Sequence, residues 1–395
     1  MTHRFMYGRT ARVLIALVLV AGVAVFASAC RQGTPQATTP IKIGFFAPES
    51  GFAAADGQSA QDAAKLAVEE INKSGGINGR SLQLVDYDDA SDANQAVSIA
   101  NKLVTLDQVT AVVSGSYSDQ TLAAAPVFQK AQIPMIAAYA VNPGIPATGN
   151  FIFQQSFTGT VEGRAGAELA VKMLGGKKIA IVAIDNDFGH SLVDGFKAHV
   201  QQLGATIVAE DYNQFGEKDF GPIITRDLNK GADLFYMVEY GPEGSQFIRS
   251  WKALGVKKPL VGTEGVDSTT QFLQVVGTDA DGMVITTNLD RDSTDPNVQT
   301  FIKDFTAEFG HAPDMVAAST YDAFFVLAQA MKTNGVSPDQ IRQGIAAIKD
   351  FNAITGKIIG YTANNEVIKP VQLQIVQNGQ FHHYGIVDDP TLIQP

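Results

Sequence analysis

From Ile41 onward, short apolar runs alternate with amphipathic stretches of helical spacing, and the alternation runs through twice. In the first series, "IKIGFFAP", "SLQLVDYDD", "VTAVVSG" and "IPMIAAY" read as strands. Helical patterns over 58–76, 92–106 and 118–131 separate them. The second series begins after Phe157. Its strands are "KKIAIVAID", "ATIVAEDY", "ADLFYMVEY", "KPLVGTEG" and "DGMVITTNL", and its helices cover 161–174, 189–203, 219–229 and 243–254. Strands joined by helices require parallel pairing with right-handed crossovers. Two series therefore predict two doubly wound α/β lobes, a division that 395 residues can supply. Three helices, 296–309, 315–333 and 339–349, follow. The tail "GKIIGYTANNEVIKP" and "VQLQIVQNGQFHHYGIV" alternates like antiparallel strands.

The segment before Ile41 is of a different kind. Arg4, Arg9 and Arg12 precede an uncharged, mostly apolar run over 13–29, the layout of a secretory signal peptide. It ends in "ASAC", and Cys30 is the chain's one cysteine. A single thiol excludes an internal disulfide, and its place at the cut resembles a bacterial lipobox, with Cys30 as the lipidated first residue. Ala27-Ser28-Ala29 also suits ordinary signal peptidase, giving a free secreted protein, and an uncut segment would be a membrane anchor. "RQGTPQATTP", over 31–40, is polar and rich in turn formers, a flexible tether. The net charge of −11 opposes a nucleic-acid partner.

In open α/β sheets, ligands bind beyond the carboxyl ends of the strands. That rule singles out residues 50–57, Ser116, Tyr117, Ser118, Tyr139, Ala140, Val141, residues 185–188, Tyr240 and Glu264. "GSYSD" lacks the second glycine of a nucleophile elbow, and neither His190 nor His199 lies near it in sequence, so a serine hydrolase using Ser116 or Ser118 is disfavoured. Ser118 reads as the N-cap of the following helix, where a hydroxyl and unpaired N–H groups also make a carboxylate site. "DYDDASD" lacks the glycine and terminal glutamate of an EF-hand. His382 and His383, adjacent on a strand, point to opposite faces. No nucleotide-binding glycine motif follows a strand. No metal and no cofactor are expected.

"IKIGFFAPESG", "INGRSLQLVDYDDASD", "AVVSGSYSDQT", "IPMIAAYAVNP", "DLFYMVEYGPEG", "VGTEGV" and "ASTYDAF" together resemble the periplasmic leucine/isoleucine/valine-binding proteins, the receptor subunits of branched-chain amino acid ABC transporters. The resemblance implies two lobes joined by three crossovers, the type I periplasmic binding protein fold. The crossovers fall near Phe157, Asn288 and Lys369. Lobe 1 would comprise 41–157 with 289–368 and lobe 2 158–288 with 369–395, after a signal peptide over 1–29 and a tether over 30–40. It implies that Ser118 and the backbone at Tyr139 to Val141 hold an amino acid's carboxylate. Glu264 and a carbonyl near Tyr139 would hold the ammonium, with Phe188 and Tyr240 closing from the second lobe. Two positions depart from the family. Val141 replaces a threonine whose hydroxyl meets the head group, and Asp56 stands where a tyrosine is common. Asp56 either caps the helix starting near Gly57 or, with Glu264, brackets a ligand that has a second polar or cationic group. The expected protein is a monomeric, lipid-anchored receptor that delivers an amino acid to a membrane permease. A sensor of the same fold for an amide or urea-like solute is the alternative.

Overall fold

A computed structural model of the chain describes Met1 and residues 39–395. The leader, Cys30 and residues 31–38 lie outside the described residues. Two sheets organise the rest. The first is wholly parallel, in the order β2-β1-β3-β4-β5, with β1 at Ile41–Ala47, β2 at Leu82–Asp88, β3 at Ala111–Ser114, β4 at Met135–Ala137 and β5 at Ile152–Gln154. The second has the order β16-β15-β10-β9-β8-β6-β7. Its β6 (Lys178–Ile184), β7 (Thr206–Asn213), β8 (Leu234–Val238), β9 (Leu260–Gly262) and β10 (Val284–Thr287) are parallel. An antiparallel pair, β15 (Val371–Gln377) and β16 (Gln380–Val387), is added at its edge. Central strands such as "AVVS" and "LFYMV" are buried on both faces, as a helix-covered parallel sheet demands.

The connecting helices are α1 (Ala54–Lys73), α2 (Ala93–Lys102) and α3 (Ser118–Ala131) around the first sheet. Around the second are α4 (Gly159–Glu168), α5 (Asp187–Gln202), α6 (Gly221–Asn229) and α7 (Gly241–Ala253). After β10 the chain returns to the first sheet's side as α8 (Pro296–Phe309), α9 (Met315–Asn334) and α10 (Pro338–Ala346). There α9 packs along α1, and Phe324 meets Phe45 of β1 with ring centroids 6.1 Å apart. Two small ladders, β11–β12 (Phe351–Ala353, Gly356–Ile358) and β13–β14 (Gly360–Tyr361, Val367–Ile368), lead back to β15. In both sheets the strand order reverses beside the first strand of its series, between β1 and β3 and between β6 and β8. Such switch points open a crevice at the carboxyl ends. No helix among the described residues is long and apolar enough to cross a membrane.

Three local features differ from expectation. Strand β5 was not anticipated, because three residues carry no readable period. Helices α2 and α4 end in single π turns, at Leu103–Asp107 and Leu169–Met173. Helix α1 begins at Ala54, ahead of Gly57, whose N–H donates to the Ala53 carbonyl at 3.0 Å. Gly57 is therefore a packing residue inside the helix and not its boundary. A Cβ there would lie 2.1 Å from the Pro48 carbonyl oxygen, so its absence lets α1 close onto the loop after β1.

Helices α4 and α5 meet backbone to backbone. A Cβ on Gly163 would come 2.2 Å from the Leu192 carbonyl oxygen, and one on Gly195 2.4 Å from that of Thr160. Helix propensity alone would make Gly163→Ala stabilising by about 1 kcal/mol. Overpacking against a backbone oxygen outweighs it, costing about 1–3 kcal/mol or more. Thermal unfolding of Gly163→Ala should show a lowered melting temperature, and a raised one would refute this close approach.

Candidate functional site

The loops at the two switch points face each other across a small cavity of about 20 Å³. It is lined by Asp56 from α1, Tyr117 and Ser118 at the start of α3, and Tyr139, Ala140 and Val141 after β4. From the other sheet come Phe188 of α5, Tyr240 after β8, and Glu264 with Gly265 after β9; Met315 opens α9 beneath. Nine of the residues that sequence position and resemblance nominate thus share one cavity. Ser116 does not line it; its side chain is buried near Asp89, whose carboxyl burial pushes up to about 6.

Ser118 is not the cap of α3. The N-cap is Tyr117, extended at φ −72° and ψ 173°, and no side chain caps the first turn. The leading N–H groups of any helix lack intrahelical acceptors, so α3 presents unpaired donors beside the Ser118 hydroxyl. That hydroxyl accepts only a long bond, 3.4 Å, from the Asn142 N–H. The Asn142 side chain in turn donates to the Asp187 carbonyl at 2.9 Å, linking the loop after β4 to the start of α5.

Opposite lies Glu264, only 2% exposed. Its Oε2 accepts from the Asn288 side chain at 2.8 Å, and its N–H donates to Oε1 of Glu162 at 2.9 Å. Glu162 sits behind it, fully buried, with Oε1 also taking the Thr286 hydroxyl at 2.6 Å and Oε2 unpartnered. Burial, then the nearby Glu162, drives the Glu264 pKa well above the carboxylate range; Lys369 and Asn288 oppose the rise. Burial raises Glu162 to about 7. Burial thus works against the charged form of both carboxyls.

Asn288 and Lys369 were anticipated only as crossover positions. The Asn288 side chain also donates to Ser156 Oγ at 2.8 Å and accepts from Lys369 Nζ at 2.9 Å. Lys369, wholly buried, donates as well to the Thr355 hydroxyl, and Asp322 takes that hydroxyl and the N–H groups of Ile354 and Thr355. Burial lowers the Lys369 pKa to about 8, against Asp322 and Glu264, which raise it. One residue from each passage between the sheets, Ser156, Asn288 and Lys369, therefore joins a single knot that ends on Glu264. Sequence carries no signal for such a knot, because its members are scattered from Ser156 to Lys369; Glu162, Gly265 and Met315 escaped notice for the same reason.

Aromatic rings bridge the two halves. Tyr117 stacks on Tyr240 with centroids 4.4 Å apart and planes 2° from parallel, and Phe188 backs Tyr240 at 4.8 Å. Half-exposed Phe52 and Phe215 meet at 4.6 Å outside them. The Tyr117 hydroxyl donates to Asp56 Oδ2 at 2.5 Å, and Tyr139 donates to the Gly115 carbonyl at 2.6 Å. Asp56 caps nothing: the N-cap of α1 is Ala53, and Asp56 stands in the first turn. The capping expectation fails because α1 begins upstream of Gly57.

Elsewhere, His190 bonds Asp185 and His199 bonds Glu168, so neither hydrogen-bonds Ser116 or Ser118. His382 and His383 hydrogen-bond two aspartates of one loop, Asp292 and Asp290. The register of β15 with β16 shifts at Leu373/Gln374, opposite His383 to Gly385. Among the described residues no cluster of three or more His, Cys, Asp or Glu is arranged for a metal ion.

A family model described as periplasmic binding protein matches residues 40–380. The leucine-, isoleucine-, valine-, threonine- and alanine-binding protein of Pseudomonas aeruginosa is 28% identical over 87% of this chain and 90% of its own length. The leucine-specific-binding protein of Salmonella typhimurium is 31% identical over 80% of this chain and 84% of its own. Among solved structures, the branched-chain amino acid transporter substrate binding protein LivJ of Streptococcus pneumoniae, in complex with isoleucine, superposes with a TM-score of 0.81. It is 28% identical and covers 88% of this chain and 99% of its own.

The buried acids predict a pH-dependent stability. Glu162 has an ordinary value of 4.5 and a folded value of about 7. Its contribution is full below the first value and is lost as pH rises through the second, at about 1.4 kcal/mol per pH unit for one proton. Denaturant unfolding at pH 5 and pH 8 should show the wild type losing stability with rising pH, and Glu162→Gln losing measurably less. An equal loss in both would mean that Glu162 does not titrate as a buried acid.

Proposed function

Because the chain belongs to the periplasmic binding protein family, we propose that it captures an amino acid in the cavity between its two sheets and delivers it to an ABC transporter permease. The observation that carries this reading is the opposition of two charge-reading ends within one cavity: the Ser118 hydroxyl and the free amides of α3 on one side, and Glu264 on the other. A zwitterion offers a carboxylate and an ammonium a few ångströms apart. The α3 terminus with Ser118 takes the carboxylate, and an ammonium beside Glu264 returns that carboxyl to its ionised form. Charge-assisted bonds formed away from water are stronger than exposed ones. Val141 offers only backbone groups to the head group, and Ala140 is apolar beside it.

The lobes of this receptor are residues 41–157 with 289–368 and 158–288 with 369–395, hinged at the three passages that Ser156, Asn288 and Lys369 tie together. Ligand in the cavity stabilises the closed arrangement by its differential affinity for it, and Glu264 carries that preference directly into the hinge through Asn288. The protein acts outside the cytoplasm, as its family does. The leader is cleaved before Cys30, and a lipid on that cysteine, with the tether, holds a monomeric receptor near its permease. It binds solute without turnover.

Isothermal titration against leucine, isoleucine, valine, threonine and alanine should give saturable, stoichiometric binding to at least one. Ser118→Ala and Glu264→Gln should each weaken it by about 1.5–3 kcal/mol, the loss of a hydrogen bond to a charged group. Unchanged affinity in both variants would remove the site assignment, and conversion of the ligand would point to a hydrolase instead. In cells, Cys30→Ala should abolish incorporation of a labelled fatty acid; labelling that persists would exclude Cys30 as the anchor.

A further inference from the structure

Ser118, the α3 terminus and Glu264 account for an amino acid's head group, which leaves one acid of the cavity without a task. Asp56 is 5% exposed. Its Oδ2 takes the Tyr117 hydroxyl, while its Oδ1 is buried and makes no hydrogen bond of ordinary geometry, the Ser268 hydroxyl lying just close enough to favour the charged carboxyl. The surroundings are short of cations. The acids that act on Asp56 are Asp314 and Asp267. Asp267 is satisfied by Arg291 and the Thr287 hydroxyl. Asp314 takes the Ser59 hydroxyl at 2.7 Å and the Ala317 N–H at 2.9 Å. No lysine or arginine among the described residues pairs with Asp56. Burial, then the Asp314 charge, raises its pKa to about 7, against the Tyr117 and Ser268 hydroxyls.

A purely aliphatic ligand would seal Oδ1 away from water without a donor, the costliest arrangement for a polar atom. A nitrogen donor in its place would complete the site and, if charged, would favour the ionised carboxylate. We infer that Asp56 is a specificity-determining residue whose free Oδ1 accepts a hydrogen bond from a nitrogen on the ligand's side chain, so that the solute is a small zwitterion carrying a second N–H donor. The inference rests on the amino acid receptor reading and narrows its ligand class. Tyr117 is then a positioning residue, holding the carboxyl by its other oxygen.

The test is isothermal titration of the purified wild-type protein with leucine and with four nitrogen-bearing probes: asparagine, glutamine, 2,4-diaminobutyrate and ornithine. At least one of the four should bind tenfold or more tighter than leucine, the neutral and charged pairs distinguishing an amide donor from an ammonium. Asp56→Leu should erase that preference and tighten leucine. Should that variant not fold, Asp56→Asn, which matches the wild-type side chain in size, should reduce the preference at least tenfold if the donor is cationic. For an amide donor, Tyr117→Phe should reduce it instead by freeing the carboxyl to turn. Leucine binding as well as or better than all four probes overturns the inference while leaving the receptor reading intact, as does a preference that survives these variants. Absence of binding by all five compounds overturns the inference, and the receptor reading falls with it only if isoleucine, valine, threonine and alanine also fail to bind.

Discussion

Everything in the second half of the molecule turns on a lysine that no water reaches. Lys369 lies where the chain makes its last passage between the sheets, held by Asn288 and Thr355 with Asp322 beneath. A buried ammonium is tolerated only where partners surround it, and removing one partner of such a group costs about 3–5 kcal/mol. One of those partners, Asn288, lies in the second passage and also bonds Ser156 of the first, so the charge that needs it helps to fix where the passages cross. Asn288 is the pivot. One end of its amide faces the lysine, and the other donates both to Ser156 and to the acid that faces the cavity. A change in the charge of Glu264 is therefore felt first at the crossing and not at some remote surface.

The architecture was legible because parallel α/β folding leaves a strong periodic trace. Near-continuous apolar strands alternate with one-sided helices, and the switch-point rule turns that alternation into a short roster of loops. Tyr117, Ser118, Phe188 and Tyr240 were reachable by that logic alone, and the structure gathers them round one cavity. What the sequence hides is the second rank. Glu162 reads as one more polar residue in the first turn of a helix, yet it lies at zero exposure with its carboxyl under Glu264. Local signals also misled in identifiable ways. Gly57 resembled a helix boundary although it is a contact between helix and loop, and that displaced the helix start and gave Asp56 a capping role it does not have. Ser118 resembled a cap, but Tyr117 already occupies the extended position before the helix.

Carboxyls crowd this centre: Glu162 and Glu264 side by side, and Asp56 above Asp314 and Asp267. Water would keep all of them ionised. Burial reverses that for several, and the protein compensates unevenly, giving Asp267 an arginine and Asp314 a helix start while Glu162 keeps an empty oxygen. The imbalance leaves buried acceptors that the protein itself does not satisfy.

The ring pair Tyr117–Tyr240 has a consequence of its own. Because these faces meet with nothing between them, they serve as a built-in rival for the space a guest would take, reinforced by Phe188 behind and by Phe52 on Phe215 at the rim. Each such contact is worth about 0.5–1.5 kcal/mol beyond its area. A solute must outbid that self-occupation before any of its own contacts register as affinity.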